Sequence, residues 1–399
     1  MLSPIGEILD DLRAGRLVIL VDDESRENEG DLVCAAQHAT PEIVNFMTRH
    51  TPGYLCVALA AGECERLALH PQAPTNTALR GTAMAVSVDG HPRHGVGTGI
   101  SASDRARTAR ILADPRSLPE DLVRPGHMVP LRARHGGVLV RTGQTEGSVD
   151  LMRLAGLQPS AIISEVCRED GEMARMPDLE VFAARHGLRI CSVEQIIHYR
   201  LARERLIQRM EPFGGLAVDT DHGRFTLVAY RSLVDPLPHL AFCVGAVGAV
   251  DPGGQPIPTD EPTLVRMHRR DLLGDVFGDK SRPSNKVLAA SLRRLQAEGH
   301  GVLVYLRPEG VGEGLIGRFQ ARVTPQWEPV GDGDEPDLTS AAGAGARAVP
   351  MDQRDFGVGG QILKDLGLRR LRVLTNHPRR LHHLQAFGLE VVESVPLAL

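Results

Sequence analysis

The sequence predicts two mixed α/β (α+β) domains, and three observations carry the prediction. A chain of 399 residues is long for one hydrophobic core and suits two domains of ordinary size. Short apolar runs alternate with helix-periodic segments through both halves, the pattern of strands interleaved with helices. A charged helical stretch, RLARERLIQRMEP at 200–212, separates the halves and reads as a connector.

The elements follow in order. Ser3 is placed to cap a helix whose first residue is Pro4, with Ile5, Ile8, Leu9 and Leu12 on one face and Gly15 closing it. LVILV at 17–21 then reads as a buried strand. Thr40 and Pro41 repeat the cap-then-proline start, Ile43, Val44, Phe46 and Met47 continue a helix, and YLCVAL at 54–59 returns as a strand. Ser101 opens a helical pattern to 113, and VPLRA (129–133), GVLVR (137–141) and AIISEVC (161–167) read as further short strands. In the second half, strands are expected near 225–230, 240–247, 301–306 and 371–376, with helices over 288–299 and 360–367. Residues 324–350 are rich in Gly, Pro, Ala and acids without apolar periodicity, the composition of a mobile loop.

Composition narrows the function. With 42% hydrophobic and 24% charged residues the chain has the make-up of a soluble globular protein. A net charge of −5 leaves no basic footprint for nucleic acid. No apolar run reaches the roughly 20 residues that span a bilayer, and the start MLSPIGEILDDL lacks a basic then apolar leader. A cytoplasmic protein is expected. The six cysteines are widely spaced without a CxxC, which reads as buried free thiols rather than a disulfide framework.

The densest chemical signal is DDESRENEGD at 22–31, with six carboxylates in ten residues directly after the first strand. Such charges repel unless a cation or a substrate's counter-charge sits among them, the profile of a hard-metal site. A solvated acidic turn is the alternative reading of the same pattern.

That stretch, followed by LVCAAQHATPE, resembles the opening motif of 3,4-dihydroxy-2-butanone-4-phosphate synthase. Four later blocks resemble the same family in order: GTGISASDRARTAR (97–110), RPGHMVPLRA (124–133), GGVLVRTGQTEGSVDLMRLAG (136–156) and SEVCREDGEMAR (164–175). The resemblance implies conversion of ribulose 5-phosphate to a four-carbon ketone phosphate and formate, in a homodimer, with magnesium (manganese being possible) as cofactor. It makes Glu27 a metal ligand, Arg26 and Asp31 substrate contacts with Glu24 and Glu29 completing the loop, and His127 and Glu165 the catalytic acid–base groups. Arg141, Thr142, Gly143, Gln144 and Thr145 become the phosphate cradle at a helix start. One position departs: the family has R-x-G-H-T, whose His is the second metal ligand, where this chain has Gln144, a neutral amide oxygen. In the T-T-G block Thr98 and Gly99 persist behind Gly97.

VRMHRRDLLGDVFG (265–278), LAASLRRLQAEGHGVLVYLRPEG (288–310) and DFGVGGQILKDLGLRRLRVLTNHPRRL (355–381) resemble GTP cyclohydrolase II, a zinc enzyme. The domains implied are 1–204 and 213–399. The family's three zinc cysteines correspond to Asp271, Arg282 and Ser284, a set without thiolate or imidazole, so no zinc is expected. Asp352 and Arg354 match its proton acceptor and nucleophile, and Thr375 lies in its nucleotide-contacting stretch, while Glu313 adds negative charge where phosphate would approach. The implied whole is a synthase with an inactive cyclohydrolase-like domain. Alternatives are a diverged phosphosugar lyase or dehydratase whose product differs because of Gln144, and a non-catalytic regulatory paralogue.

Overall fold

The structure is a computed structural model. It describes residues 2–307 without 24–25, 52, 79–80, 235–236 and 281–282, and residues 353–397 without 377–383 and 385–386. The segment expected to be a mobile loop, 324–350, lies outside the described residues, as do Glu24, Arg282, Glu313 and Asp352. The chain divides into two compact units, Met1–Arg200 and Leu201–Leu399, each a mixed α/β structure.

The first unit holds strands β1 (Val18–Val21), β2 (Gly30–Ala35), β3 (Cys56–Leu59), β4 (Val88–Gly90), β5 (Leu122–Arg132), β6 (Ser160–Glu165) and β7 (Arg189–Ser192). They form one sheet in the order β4-β5-β3-β6-β2-β1-β7. Its helices are α1 (Ile5–Arg13), α2 (Pro41–His50), α3 (Ala61–Arg66), α4 (Ala102–Ala113), α5 (Gln144–Leu154), α6 (Met176–His186) and α7 (Val193–Arg203). Every residue of β1, β2 and β3 is buried, because helices cover both faces of the sheet. Ile19 and Val21 join a core with Val44 and Met47 of α2 and Leu112 of α4. Leu20 points the other way, against Gly147 of α5.

Caps explain where several helices start. Thr40 Oγ1 accepts from Ile43 N (3.3 Å) and Ser101 Oγ from Asp104 N (3.1 Å), as expected of these residues. Ser3 does not cap: α1 begins at Ile5, and Ser3 N donates instead to Ile190 O at 2.7 Å, tying the chain start to β7. The run 137–141 is not a strand either. Gly136 and Gly137 both take positive φ, Val138 N donates to Asp150 Oδ2 (2.8 Å), and the buried segment turns as a short 3₁₀ helix. An apolar run of this length does not distinguish a strand from a buried turn.

The second unit holds β8 (Ile207–Arg209), β9 (Leu216–Thr220), β10 (Gly223–Ser232), β11 (His239–Val244), β12 (Thr263–Arg269), β13 (Gly301–Leu306), β14 (Arg370–Leu374) and β15 (Glu390–Val395). Its sheet runs β15-β14-β12-β13-β11-β10-β8, with β9 also on β10. Helices α8 (Leu272–Phe277), α9 (Ser284–Glu298) and α10 (Gln353–Asp365) accompany it, and Leu292 and Leu295 of α9 pack with Phe225, Leu264 and Leu303. The stretch 200–212 is not a continuous helical connector. Ile207–Arg209 pairs with β10, and the buried Arg209 guanidinium donates to Gly248 O, so the positive charge is spent inside the sheet.

Candidate active site

The end of β1 and the start of β2 present the acidic loop, and one carboxylate organises it. Asp22, whose side chain is fully buried, accepts from Glu27 N (3.1 Å) and Glu29 N (2.9 Å). Arg26 Nη1 then donates to three oxygens: Asp22 Oδ2 (2.7 Å), Glu27 Oε2 (2.6 Å) and Gln144 Oε1 (3.0 Å). Gln144, expected to turn its amide oxygen toward a metal, turns it toward this guanidinium. Arg175, ahead of α6, donates to the carbonyls of Glu27 (2.7 Å) and Asn28, the latter at φ +56°. The loop is therefore clamped from both sides.

Asp31 and Glu165 face each other across the β2–β6 ladder. Asp31 is buried and its Oδ1 has no hydrogen-bond partner. Burial, reinforced by the negative charges of Glu165, Glu29, Glu27 and Asp22, holds the Asp31 carboxyl well above the usual range. Burial and the nearby Glu27 charge raise Glu165 as well, and burial with Glu27 raises Glu29 against the pull of Arg175. Such a cluster is electrostatically costly unless protons or a cation enter it.

His127 lies within β5. Its backbone N donates to Asp89 Oδ1 (2.9 Å) and its Nδ1 contacts Asp89 Oδ2 at 2.7 Å. The carboxylate fixes the tautomer with the proton on Nδ1 and leaves Nε2 as the acceptor. Gly99, at φ +88°, makes this possible, since a Cβ there would lie 1.9 Å from Asp89 Oδ2. Asp104 holds the same glycine segment by accepting from Gly97 N (3.0 Å) and Gly99 N (3.3 Å), bonds that lower its own pKa. Register brings His127 into line with the carboxylates. Cys56 pairs with Val129 on one side and Ile163 on the other, so His127 and Glu165, each two residues beyond, lie past the same end of β3, and Glu165 pairs with Asp31. His127 and Glu165 stand two strands apart, about 10 Å between backbones.

At the start of α5, Gly143 is flanked by two guanidinium groups. A Cβ there would lie 2.5 Å from Arg141 Nη1 and 2.9 Å from Arg26 Nη2. Arg141 Nη1 is fixed by the buried Glu146 at 2.6 Å, while Thr142 is exposed and Thr145 buried. Two cations converging on a helix N-terminus form an anion cradle. Among the described residues no three His, Cys, Asp or Glu side chains form a ready metal cage. The orphaned Asp31 oxygen and the crowded carboxylates nonetheless fit a hard divalent ion, which takes one or two carboxylates and completes its shell with water and substrate oxygens.

Sequence reasoning missed the supporting groups Asp22, Asp89, Glu146 and Arg175. Asp22, Glu146 and Arg175 lie inside the family-like blocks, whereas Asp89 comes 38 residues before its partner and carries no local signal.

In the second unit the positions aligned with zinc cysteines do other work. Asp271 caps α8, its Oδ1 accepting from Gly274 N at 3.2 Å. Ser284 Oγ donates to Asp275 Oδ1 (2.6 Å), which also meets His268 Nε2 (3.0 Å). Tyr305 OH (2.7 Å) and Asp271 N (2.9 Å) donate to Asp275 Oδ2. Burial would raise this carboxyl, but His268, Ser284 and Tyr305 outweigh it and hold it at about 2. Thr375 N joins the strand layer by donating to Val395 O at 2.9 Å, and the Arg354 side chain lies outside the described set.

Comparison with known proteins gives concordant matches. The family model described as 3,4-dihydroxy-2-butanone 4-phosphate synthase matches residues 6–199, and the one described as GTP cyclohydrolase II matches residues 215–396. Riboflavin biosynthesis protein RibBA of Aquifex aeolicus is 43% identical over 398 residues, covering 100% of this chain and 93% of its own length. RibBA of Mycobacterium marinum is 44% identical over 399 residues, covering 99% and 89%. Among solved structures, RibBX of A. baumannii, described as a two domain 3,4-dihydroxy-2-butanone 4-phosphate synthase, superposes with a TM-score of 0.76 at 34% identity, covering 100% of both chains.

Proposed function

The chain belongs to the riboflavin biosynthesis protein family in which a 3,4-dihydroxy-2-butanone 4-phosphate synthase domain precedes a GTP cyclohydrolase II-type domain, and from that membership we propose that its first unit is an active lyase. The reaction is the conversion of ribulose 5-phosphate to 3,4-dihydroxy-2-butanone 4-phosphate and formate. One observation carries the reading: the sheet register that sets Asp31 opposite Glu165 and brings the Asp89-oriented His127 to the same end of β3 as Glu165. Arg26 and Arg141 bind the substrate phosphate at Gly143. Glu165 and Asp31, whose carboxyls burial holds above their usual range, donate and accept protons at substrate hydroxyls, and His127 Nε2 removes one. A divalent ion, magnesium or manganese, would be held by Glu27 and would polarise the substrate carbonyl and hydroxyls.

The second unit is proposed to lack cyclohydrolase activity and to serve as a folded structural or regulatory module. The support is that Asp271 Oδ1 accepts from Gly274 N as the cap of α8 and Ser284 Oγ donates to Asp275, hydrogen-bonding roles that offer zinc no soft ligand. Gln144 favours a second reading, altered phosphosugar chemistry, because its oxygen is engaged by Arg26. Incubating the purified chain with ribulose 5-phosphate and magnesium separates the readings. Stoichiometric formate supports the synthase, a different product the altered lyase, and no turnover refutes both.

A further inference from the structure

The side chain at 144 has two ends, and both are used. Its Oε1 accepts from Arg26 Nη1 at 3.0 Å and its Nε2 approaches Glu29 O at 3.4 Å. Gln144 is buried at the first turn of α5, so these bonds join the rigid helix to both halves of the acidic loop. The same guanidinium nitrogen holds Asp22 and Glu27, and Asp22 in turn holds the amides of Glu27 and Glu29. We infer that Gln144 is a positioning latch that sets the acidic loop before any cation arrives, and that a divalent cation binds this chain through carboxylate oxygens without a ligand from position 144.

The chemistry of the amide supports this. It is neutral, accepts from a guanidinium at one end and donates to a carbonyl at the other. A divalent ion on the same oxygen would sit beside the Arg26 charge, and like charges repel strongly where water is excluded. A neutral imidazole with its basic nitrogen on a metal would have no lone pair left for Arg26, so the amide suits a loop held by arginine. The inference rests on the reading of this loop as the cation and substrate site, but its test needs no turnover.

Hydrogen exchange of the full chain in EDTA follows the Glu27 and Glu29 amides directly. Gln144→Ala should speed their exchange at least fivefold, as should Gln144→Asn, which is one methylene shorter and cannot span both partners. Thermal melting checks that each variant remains folded. Manganese binding, read by electron paramagnetic resonance with Mn²⁺ alone, should weaken by no more than the factor by which the loop opens. Unchanged exchange in EDTA together with a tenfold loss of Mn²⁺ affinity would overturn the latch and make Gln144 a metal ligand. Absence of formate production would count against the synthase reading while leaving the exchange result to stand on its own.

Discussion

Asp89→Asn changes one atom and should remove most of the activity. The wild-type carboxylate accepts two bonds from the same residue, His127 N at 2.9 Å and the ring Nδ1 at 2.7 Å. Asparagine keeps the volume, so Gly99, whose Cα hydrogens face the carboxylate, needs no rearrangement. The new amide can satisfy the backbone N–H with its oxygen only by presenting N–H donors to the ring. The imidazole then puts its proton on Nε2, the nitrogen that must accept one. Losing a positioned acid–base group typically lowers a rate about 10²–10⁴-fold, and the loss should fall on kcat, because Asp89 acts through His127. KM for ribulose 5-phosphate should stay within about twofold. Steady-state formate release gives both constants, and the melting temperature checks the fold. A variant with kcat within threefold of wild type would refute the assignment of His127 as a group working through Nε2.

Four further outcomes are expected. Glu27→Gln should abolish formate release with little change in melting temperature, and retained turnover would take the acidic loop out of the mechanism. Asp31→Asn should inactivate the enzyme yet raise its stability at pH 7. The folded carboxyl keeps its proton to higher pH than the unfolded chain does, so stability falls as pH rises through the raised value; each 1 kcal/mol recovered should lift the melting temperature by about 2–4 °C. That gain should vanish in acid, and an equal gain at pH 4 would contradict the cause. Gly99→Ala should cost about 1–3 kcal/mol, from the positive φ and the displaced Asp89, with kcat falling as in Asp89→Asn. Metal analysis should find no stoichiometric zinc and GTP should remain unconverted, whereas one tightly bound zinc per chain would reveal a replacement site.

Much of this was legible in the residues. The Thr40 and Ser101 caps, the apolar faces and the acidic loop are local patterns, and local patterns survive folding. The parts that were not legible depend on distant partners. Asp89 sits on a three-residue strand, too short to show period-two alternation, and acquires its role only when β4 pairs with β5. The run at 137–141 has strand-like composition but turns, because two glycines and the distant Asp150 decide its path. Ile207–Arg209 reads as charged and helical until β10 lies beside it. Gln144 announced itself as an exception, but its preference for Arg26 follows from a contact across 118 residues.

The pairing of Asp31 with Glu165 carries one more consequence. Side chains alternate across a strand, so sliding β2 past β6 by a single residue would send one carboxylate to the opposite face and leave an apolar neighbour in its place. The two carboxylates proposed as acid–base groups therefore face each other only in this register. A misregistered chain would lose the Asp31–Glu165 pairing and the buried packing of β2 in the same event. The alternation of the backbone thus ties the pairing of the two carboxylates to the burial of the strands that carry them.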